Sequence, residues 1–159
     1  MSEHDLKELL NMAREALLES KYGESLKLYL EVLKVDENNL TALNTLGFIY
    51  YFKGEFAEGI KYCLRAVEKY PENAYARKGL GLYLAKEGRR DEAAASIKKA
   101  IELDPDFVDA YHDLAYVYYE SGDFESAREW IGKGVGKSHD VRYKGLFDKF
   151  IRKLDSLSI

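Results

Sequence analysis

The sequence predicts an all-α fold, a solenoid of four helix–turn–helix units followed by a C-terminal capping helix. The two prolines of the chain, Pro71 and Pro105, lie 34 residues apart, and so do the successive glycines Gly54, Gly88 and Gly122. A fixed period of this length is typical of chains built from stacked supersecondary units. The last segment departs from the period and carries the pattern of a single amphipathic helix.

The period divides the chain into four repeats, residues 6–39, 40–73, 74–107 and 108–141, with a capping helix at about 142–157. We expect residues 1–159 to form a single domain. In each repeat the first helix should end at the fifteenth residue, a glycine in three repeats, because glycine adopts the left-handed conformation that closes a helix. The second helix should end at Pro71 or Pro105, since proline lacks the backbone donor.

Small residues recur at three positions of the repeat, the eighth, the twentieth and the twenty-seventh. Small side chains allow facing helices to approach closely, so these positions predict tight packing. They are Ala13, Gly47, Gly81 and Ala115; Ser25, Gly59, Ala93 and Ala127; and Val32, Ala66, Ala100 and Gly134. Cys63, at the twenty-fourth position of the second repeat, is predicted to be a small buried apolar residue.

The segment after Asp140 places its apolar residues on one helical face. Those residues are Tyr143, Leu146, Phe147, Phe150, Ile151 and Leu154. A solenoid requires terminal elements that cover the last repeat and show a polar outer side, so we expect this helix to be the cap.

Composition excludes several classes of protein. Apolar residues make up 47% of the 159 residues and charged residues 33%, which argues against a disordered chain and against a membrane protein. The net charge of −4 lacks the basic surplus expected for a nucleic-acid partner. A single cysteine excludes a disulfide framework, and there is no apolar run for a signal peptide or membrane span. We therefore expect a soluble, cytoplasmic protein.

Catalytic and metal-binding patterns are not found. The segment Gly132–Ser138 resembles a phosphate-binding loop but lacks its first glycine and a preceding strand. The histidines His4, His112 and His139 lie far apart and lack zinc-ligand spacing. No nucleophile is paired with a base, so the sequence predicts no enzymatic activity, no cofactor and no metal.

The repeat resembles the tetratricopeptide repeat family, whose 34-residue signature pairs Trp, Leu-Gly, Tyr, Ala, Phe and Pro at fixed offsets. The second repeat carries the fullest match, with Leu43, Leu46, Gly47, Tyr50, Gly59, Cys63, Ala66 and Pro71. The resemblance covers about residues 6–141. It implies a right-handed superhelix whose first helices line a concave groove, and it implies that this groove binds a peptide or helix of a partner protein. The family's carboxylate clamp of Lys, Asn and Arg has no match here.

The family's groove positions are the second, fifth, ninth, twelfth and thirteenth of each repeat. In the first repeat they are Lys7, Leu10, Arg14, Leu17 and Leu18. From the later repeats, the candidate partner-binding residues that the resemblance implies are Asn44, Phe48, Tyr51, Phe52, Tyr75, Lys78, Leu82, Lys86, Asp109, His112, Tyr116 and Tyr119.

This set contains two aromatic patches, one in the second repeat (Phe48, Tyr51 and Phe52) and one in the fourth (Tyr116 and Tyr119). Neither has an obvious packing partner within its own repeat, and an apolar patch left on a surface commonly marks an interaction site. The alternative is that these rings pack between repeats. We expect a protein or peptide partner of unknown identity. The alternative function is a homo-oligomeric scaffold that self-associates through the groove or through the uncapped first helix.

Overall fold

The computed structural model describes residues 3–138 and 140–157, and over these residues the chain forms nine helices and no strands. The helices are α1 (Glu3–Leu18), α2 (Tyr22–Val35), α3 (Leu40–Lys53), α4 (Phe56–Lys69), α5 (Ala74–Lys86), α6 (Arg90–Leu103), α7 (Val108–Glu120), α8 (Phe124–Lys137) and α9 (Val141–Asp155). The predicted all-α fold is confirmed. His139, one of the three histidines of the sequence, lies outside the described residues.

The chain divides into two compact halves, Met1–Gly79 and Leu80–Ile159, with the boundary inside α5. In the N-terminal half α1 packs on α2, α2 on α3, and α3 on α4. In the C-terminal half α6 packs on α7, α7 on α8, and α8 on α9. The single domain over residues 1–159 and the right-handed superhelix of four repeats stay predictions.

The first helix of every repeat ends in the same left-handed turn. Gly54, Gly88 and Gly122 have φ of 74°, 77° and 81°, and Ser20 at the same position has φ of 60°. The residue after each of these donates its backbone N–H to a carbonyl one turn back in the helix, as Glu55 does to Tyr50 at 3.0 Å. This bond is that of a Schellman turn, which satisfies carbonyls that the end of a helix would leave without a donor. The predicted helix end is confirmed.

The second helices end at the thirtieth residue of each repeat, two residues before the position of the prolines. α4 and α6 therefore end just before Pro71 and Pro105, as predicted. α2 ends at the same position although Glu37 stands where the prolines do. The residue that follows each helix leaves the helical conformation in all four repeats, so proline accompanies this turn in two of them but is not required for it.

All twelve small positions of the repeat are buried, as predicted. A Cβ added at Gly47 would lie 2.7 Å from Cys63 Sγ, so α3 and α4 touch at this point. Cys63 itself is buried, and burial raises its pKa to about 12. The thiol therefore behaves as the small apolar residue that the sequence predicts, and its proton is held well above neutral pH.

The C-terminal helix α9 packs against α7 and α8 through three buried residues, Phe147, Phe150 and Leu154. The approach is close, because a Cβ added at Gly134 of α8 would lie 3.1 Å from the Phe147 ring. Leu146, which we assigned to the same apolar face, is instead exposed. The observed helix ends two residues before the predicted one.

Candidate partner-binding surfaces

Two aromatic rings on α3 remain at the surface of the N-terminal half. Phe48 is 36% exposed and Phe52 is 70% exposed, and their ring centroids lie 4.5 Å apart. Tyr51 is half-buried and meets the edge of Phe56 at a centroid distance of 5.6 Å. The opposite side of α3 is committed to the core through Leu46 and Ile49. The Phe48–Phe52 pair therefore lies outside this core.

The same two positions of α1, 34 residues earlier, are occupied by Arg14 and Leu18. Leu18 is 78% exposed, the highest value among the large apolar side chains, and Arg14 is also exposed. α1 and α3 contribute to one hydrophobic cluster, through Ala13 and Leu46 among others. The register marks Leu18 as a groove position, although the twelve main candidate residues begin only in the second repeat.

The remaining candidates of the N-terminal half serve the fold as well as the surface. Asn44 is half-buried and donates from Nδ2 to Asn73 Oδ1 at 3.4 Å. The same Asn73 oxygen accepts the backbone N–H of Ala76 at 2.8 Å and so caps the start of α5. On α5, Tyr75 is exposed and the Lys78 ammonium lies 5.7 Å from its ring centroid.

The aromatic patch of the fourth repeat is partly covered by α9. Tyr119 is half-buried, 5.7 Å from the Phe150 ring, and carries the Lys153 ammonium 4.1 Å from its centroid. Tyr116 lies 6.5 Å from Phe150 but keeps 41% of its surface exposed. We expected this patch to have no packing partner within its own repeat, and this is corrected because the Tyr119 ring lies 5.6 Å from that of Phe124. Phe150 of the C-terminal helix is a second partner, outside the repeat.

His112 also faces α9 rather than open solvent. Its half-buried ring lies 6.2 Å from Phe147 and 5.6 Å from Phe150, and Nδ1 lies 3.7 Å from Asp113 Oδ1. Burial, followed by a hydrogen bond with Glu120, raises the pKa of Tyr116. In the C-terminal half, Tyr116 is thus the aromatic candidate that retains the most accessible ring.

The other candidates of the C-terminal half differ in accessibility. Leu82 and Asp109 are half-buried, whereas Lys86 is exposed. The glycine-rich segment that resembles a phosphate loop runs within α8 as far as Lys137, so its backbone donors are committed to helical bonds.

Within residues 3–138 and 140–157, no three His, Cys, Asp or Glu side chains come together as ligands of a metal ion would. Over the same ranges, no helix has the length and hydropathy that crossing a bilayer requires.

Two family models, both described as tetratricopeptide repeat, match residues 41–73 and 84–147 and together cover more than half of the chain. The chain belongs to the tetratricopeptide repeat (TPR) family. The TPR repeat-containing protein MJ1428 of Methanocaldococcus jannaschii is 30% identical over 132 residues, which are 78% of this chain and 22% of that protein. The TPR repeat-containing thioredoxin TTL4 of Arabidopsis thaliana is 35% identical over 85 residues, 54% of this chain and 12% of that protein. This TPR chain thus spans only a small part of the curated relatives it matches.

Solved structures show the same TPR fold. A MamA protein is 23% identical with a TM-score of 0.71, over 92% of this chain and 86% of that one. The TPR2B domain of yeast Sti1, solved in a complex with pHsp70, is 26% identical with a TM-score of 0.68, over 74% of this chain and 96% of that one. The O-GlcNAc transferase of Thermobaculum terrenum contains a similar segment, with a TM-score of 0.79, although this chain covers only 27% of it.

Proposed function

We propose that this TPR chain is a scaffold that binds a peptide or helix of a partner protein in a groove lined by the first helices of its repeats. The observation that carries the proposal is the exposed Phe48–Phe52 pair on α3. Rigid aromatic side chains lose few rotamers on contact and are enriched at binding hot spots. Two rings at the surface add little to the stability of the core, so we expect them to contribute to the binding of a partner that covers them.

Each half contributes its own candidate residues, and the most accessible aromatic candidate is Phe52 in the N-terminal half and Tyr116 in the C-terminal half. The Sti1 domain, whose structure includes pHsp70, supports a role in binding a protein partner. We further propose that the chain acts in the cytoplasm and binds its partner without catalysing a reaction.

The alternative function, self-association through the first helix, is opposed by two carboxylates. In repeats two to four the third and tenth positions are apolar and buried against neighbouring helices: Ala42 and Ile49, Ala76 and Tyr83, Ala110 and Val117. In the first repeat the same positions hold Glu8 and Glu15, both exposed. A helix stacked on this edge would have to desolvate both charges, which is unfavourable without a paired cation. Self-association through the groove stays an alternative.

The proposal is tested with Phe52→Ala, because this ring is largely exposed and its removal disturbs the core little. Full burial of a phenylalanine side chain contributes about 1.5–3 kcal/mol, so losing a ring that is 70% exposed should cost about 1 kcal/mol or less. The matched control is Leu64→Ala on α4, which removes another exposed apolar side chain, one on a second helix.

Partners captured from a lysate of the source organism should be lost with Phe52→Ala and retained with Leu64→Ala, at equal helicity. Equal capture by both variants would contradict a role for the α3 surface. Light scattering of the purified chain over a range of concentrations separates the alternative, because a groove that binds another copy would make the mass rise with concentration and would lose that rise in Phe52→Ala.

A further inference from the structure

We infer that the fourth repeat binds an arginine side chain of the partner protein on the ring of Tyr116, between two carboxylates of α7. This inference rests on the proposed function and specifies the chemistry that the C-terminal half recognises. The surface concerned consists of Asp113, Tyr116 and Glu120, and we call it the acidic tyrosine site. The Phe48–Phe52 pair belongs to the other half of the chain and is not part of it.

The three residues of the acidic tyrosine site follow one another along a single face of α7. Asp113 precedes Tyr116 by three residues and Glu120 follows it by four, and side chains at these spacings are neighbours on the surface of a helix. The tyrosine ring keeps 41% of its surface exposed, Glu120 is exposed and Asp113 is half-buried. The ring is therefore accessible, and it has a carboxylate one turn away on each side.

A hydrogen bond joins the tyrosine to one of these carboxylates. Burial is the first cause of the raised pKa of Tyr116, and the hydrogen bond that its hydroxyl donates to the Glu120 carboxylate is the next. This bond holds the carboxylate at the hydroxyl end of the ring. A guanidinium that stacks on the ring can also donate to a carboxylate at its edge, because its donors lie in one plane. An ammonium has no such plane, so the site favours arginine over lysine.

The neighbouring ring already binds a cation of the chain itself. The Lys153 ammonium lies 4.1 Å from the centroid of Tyr119, and the centroid of Tyr116 lies 6.3 Å from that of Tyr119. Over the part of the chain that the structure describes, no cation lies over the Tyr116 ring. Cations are attracted to the negative face of an aromatic ring, and arginine is found there more often than lysine. Of two adjacent tyrosines, one therefore carries a cation and the other can accept one from a partner.

The charges around the site are acidic overall. The sequence of α7 contains neither lysine nor arginine, and its carboxylates are Asp109, Asp113 and Glu120. Two cations of the same half belong to the groove surface: Lys153, whose ammonium is already engaged, and Lys86, which is exposed at the end of α5. The carboxylates therefore outnumber the cations. Electrostatic complementarity of this kind selects partners and speeds their association.

The same positions of the second repeat carry no charge. They are Thr45, Phe48 and Phe52. An aromatic ring at the ninth position is thus common to both repeats, but only the fourth repeat flanks it with carboxylates. The two aromatic patches should therefore recognise different chemistry, an apolar side chain in the N-terminal half and a cation in the C-terminal half.

A small free cation such as a quaternary ammonium can also bind aromatic rings, but the arrangement of the rings favours a side chain presented by a protein. Quaternary ammonium ligands are recognised by cages of several rings. Here the nearest rings are committed to one another, since Tyr119 lies 5.7 Å from Phe150 and 5.6 Å from Phe124. Tyr116 is left as a single accessible ring, which suits a guanidinium stacked on one face.

The test uses small probes that differ only in one side chain. They are the N-acetyl methylamides of arginine, lysine and norleucine, and tetramethylammonium is the fourth probe. Each is titrated with the full chain at low and high salt, and NMR follows the side-chain protons of the probe, which a nearby aromatic ring shifts upfield. The variants are Tyr116→Leu and Glu120→Gln. The matched controls are Tyr22→Leu, which removes another exposed tyrosine ring, and Glu68→Gln, which neutralises an exposed carboxylate on α4.

We expect the arginine probe to bind the parent chain about tenfold more tightly than the norleucine probe, with the lysine probe between them. The preference should shrink at high salt, because salt screens exposed charges. Tyr116→Leu and Glu120→Gln should each remove most of the preference, whereas both controls and Phe52→Ala should keep it. Because Glu120 is exposed, Glu120→Gln keeps the test valid even if Tyr116→Leu does not fold.

Equal binding of the arginine and norleucine probes to the parent chain would overturn the inference, and so would a preference that survives in Glu120→Gln. Lysine or tetramethylammonium binding as tightly as the arginine probe would assign the site to cations in general and would also overturn it. In each of these cases the lysate capture with Phe52→Ala still decides the proposed function separately, since that variant leaves the acidic tyrosine site unchanged.

Discussion

Gly81 lies at a close contact between α5 and α6 that leaves little room for a side chain. A Cβ added there would lie 2.5 Å from Ile97 Cγ1 and 3.0 Å from the backbone oxygen of Ala93. Ile97 is fully buried and the oxygen belongs to the backbone of α6, so neither can move aside cheaply. Overpacking of this kind costs about 1–3 kcal/mol. Replacing a helical glycine by alanine also returns about 1 kcal/mol of helix propensity, which offsets part of that cost.

The control for Gly81→Ala is Gly132→Ala, because a Cβ at Gly132 of α8 would meet no atom within 4 Å. That variant receives the propensity gain alone, so the free energies of unfolding of the two variants should differ by about 1–3 kcal/mol. In a chain of this size the difference corresponds to roughly 2–12 °C in Tm. Thermal and urea unfolding followed by circular dichroism measure it.

Gly81→Ala should cost less stability in an Ile97→Ala background than in the parent chain, because Ile97→Ala removes the Cγ1 atom that the new Cβ would meet. If Gly81→Ala has the same Tm as Gly132→Ala, α5 and α6 do not approach each other as closely as the structure places them. The assignment of the eighth position of the repeat as a helix contact would then also be wrong.

Three further outcomes are expected. Phe147→Ala should lower the free energy of unfolding by about 3–5 kcal/mol, because this ring is fully buried under α7 and α8, whereas Leu157→Ala at the exposed end of the chain should change urea unfolding little. Folding raises the pKa of the Cys63 thiol from 9.0 to about 12, so the thiol ionises at lower pH in the unfolded chain than in the folded one. The free energy of unfolding should therefore fall as the pH rises from 9 to 12, and it should fall less in Cys63→Ala. Glu8→Ala with Glu15→Ile gives α1 the apolar edge of the other repeats, so light scattering should show a mass that rises with concentration; a constant mass would contradict the role assigned to these carboxylates.

The backbone of the repeat could be predicted from the sequence because its period records steric demands that recur every 34 residues. The left-handed turn at Gly54 and the helix contact at Gly47 each leave a small residue in every copy, and four copies make the signal readable. Glycine does not mark every such turn, because Ser20 adopts the same left-handed conformation with φ of 60°. Asn39 and Asn73 cap the starts of α3 and α5 and are also 34 residues apart, a recurrence that the pattern of glycines and prolines does not include.

The surface was harder to predict, because the exposure of a side chain depends on which helix comes next. Phe48 with Tyr51, and Tyr116 with Tyr119, occupy the same repeat positions and look equivalent in the sequence. In both patches the tyrosine meets a phenylalanine five residues later at a centroid distance of 5.6 Å. The fourth repeat, however, is followed by α9, which lies outside the 34-residue period, and the period carries no information about where its side chains fall.

Under the proposed function, this difference sets how much accessible apolar surface each patch offers a partner. Phe150 and Lys153 of α9 already occupy one side of the Tyr119 ring, so a partner that reaches the fourth repeat meets a surface composed jointly of α7 and α9. Phe52, by contrast, keeps most of its surface accessible, and every groove position around it in the first two repeats is basic, neutral or apolar. A ligand gains more from covering an exposed ring than from sharing one that is already packed, because burial contributes in proportion to the apolar area removed from water. The N-terminal half is therefore where binding energy should concentrate, and changes at Leu18 and Phe52 should weaken partner binding more than changes at Tyr116 or Tyr119.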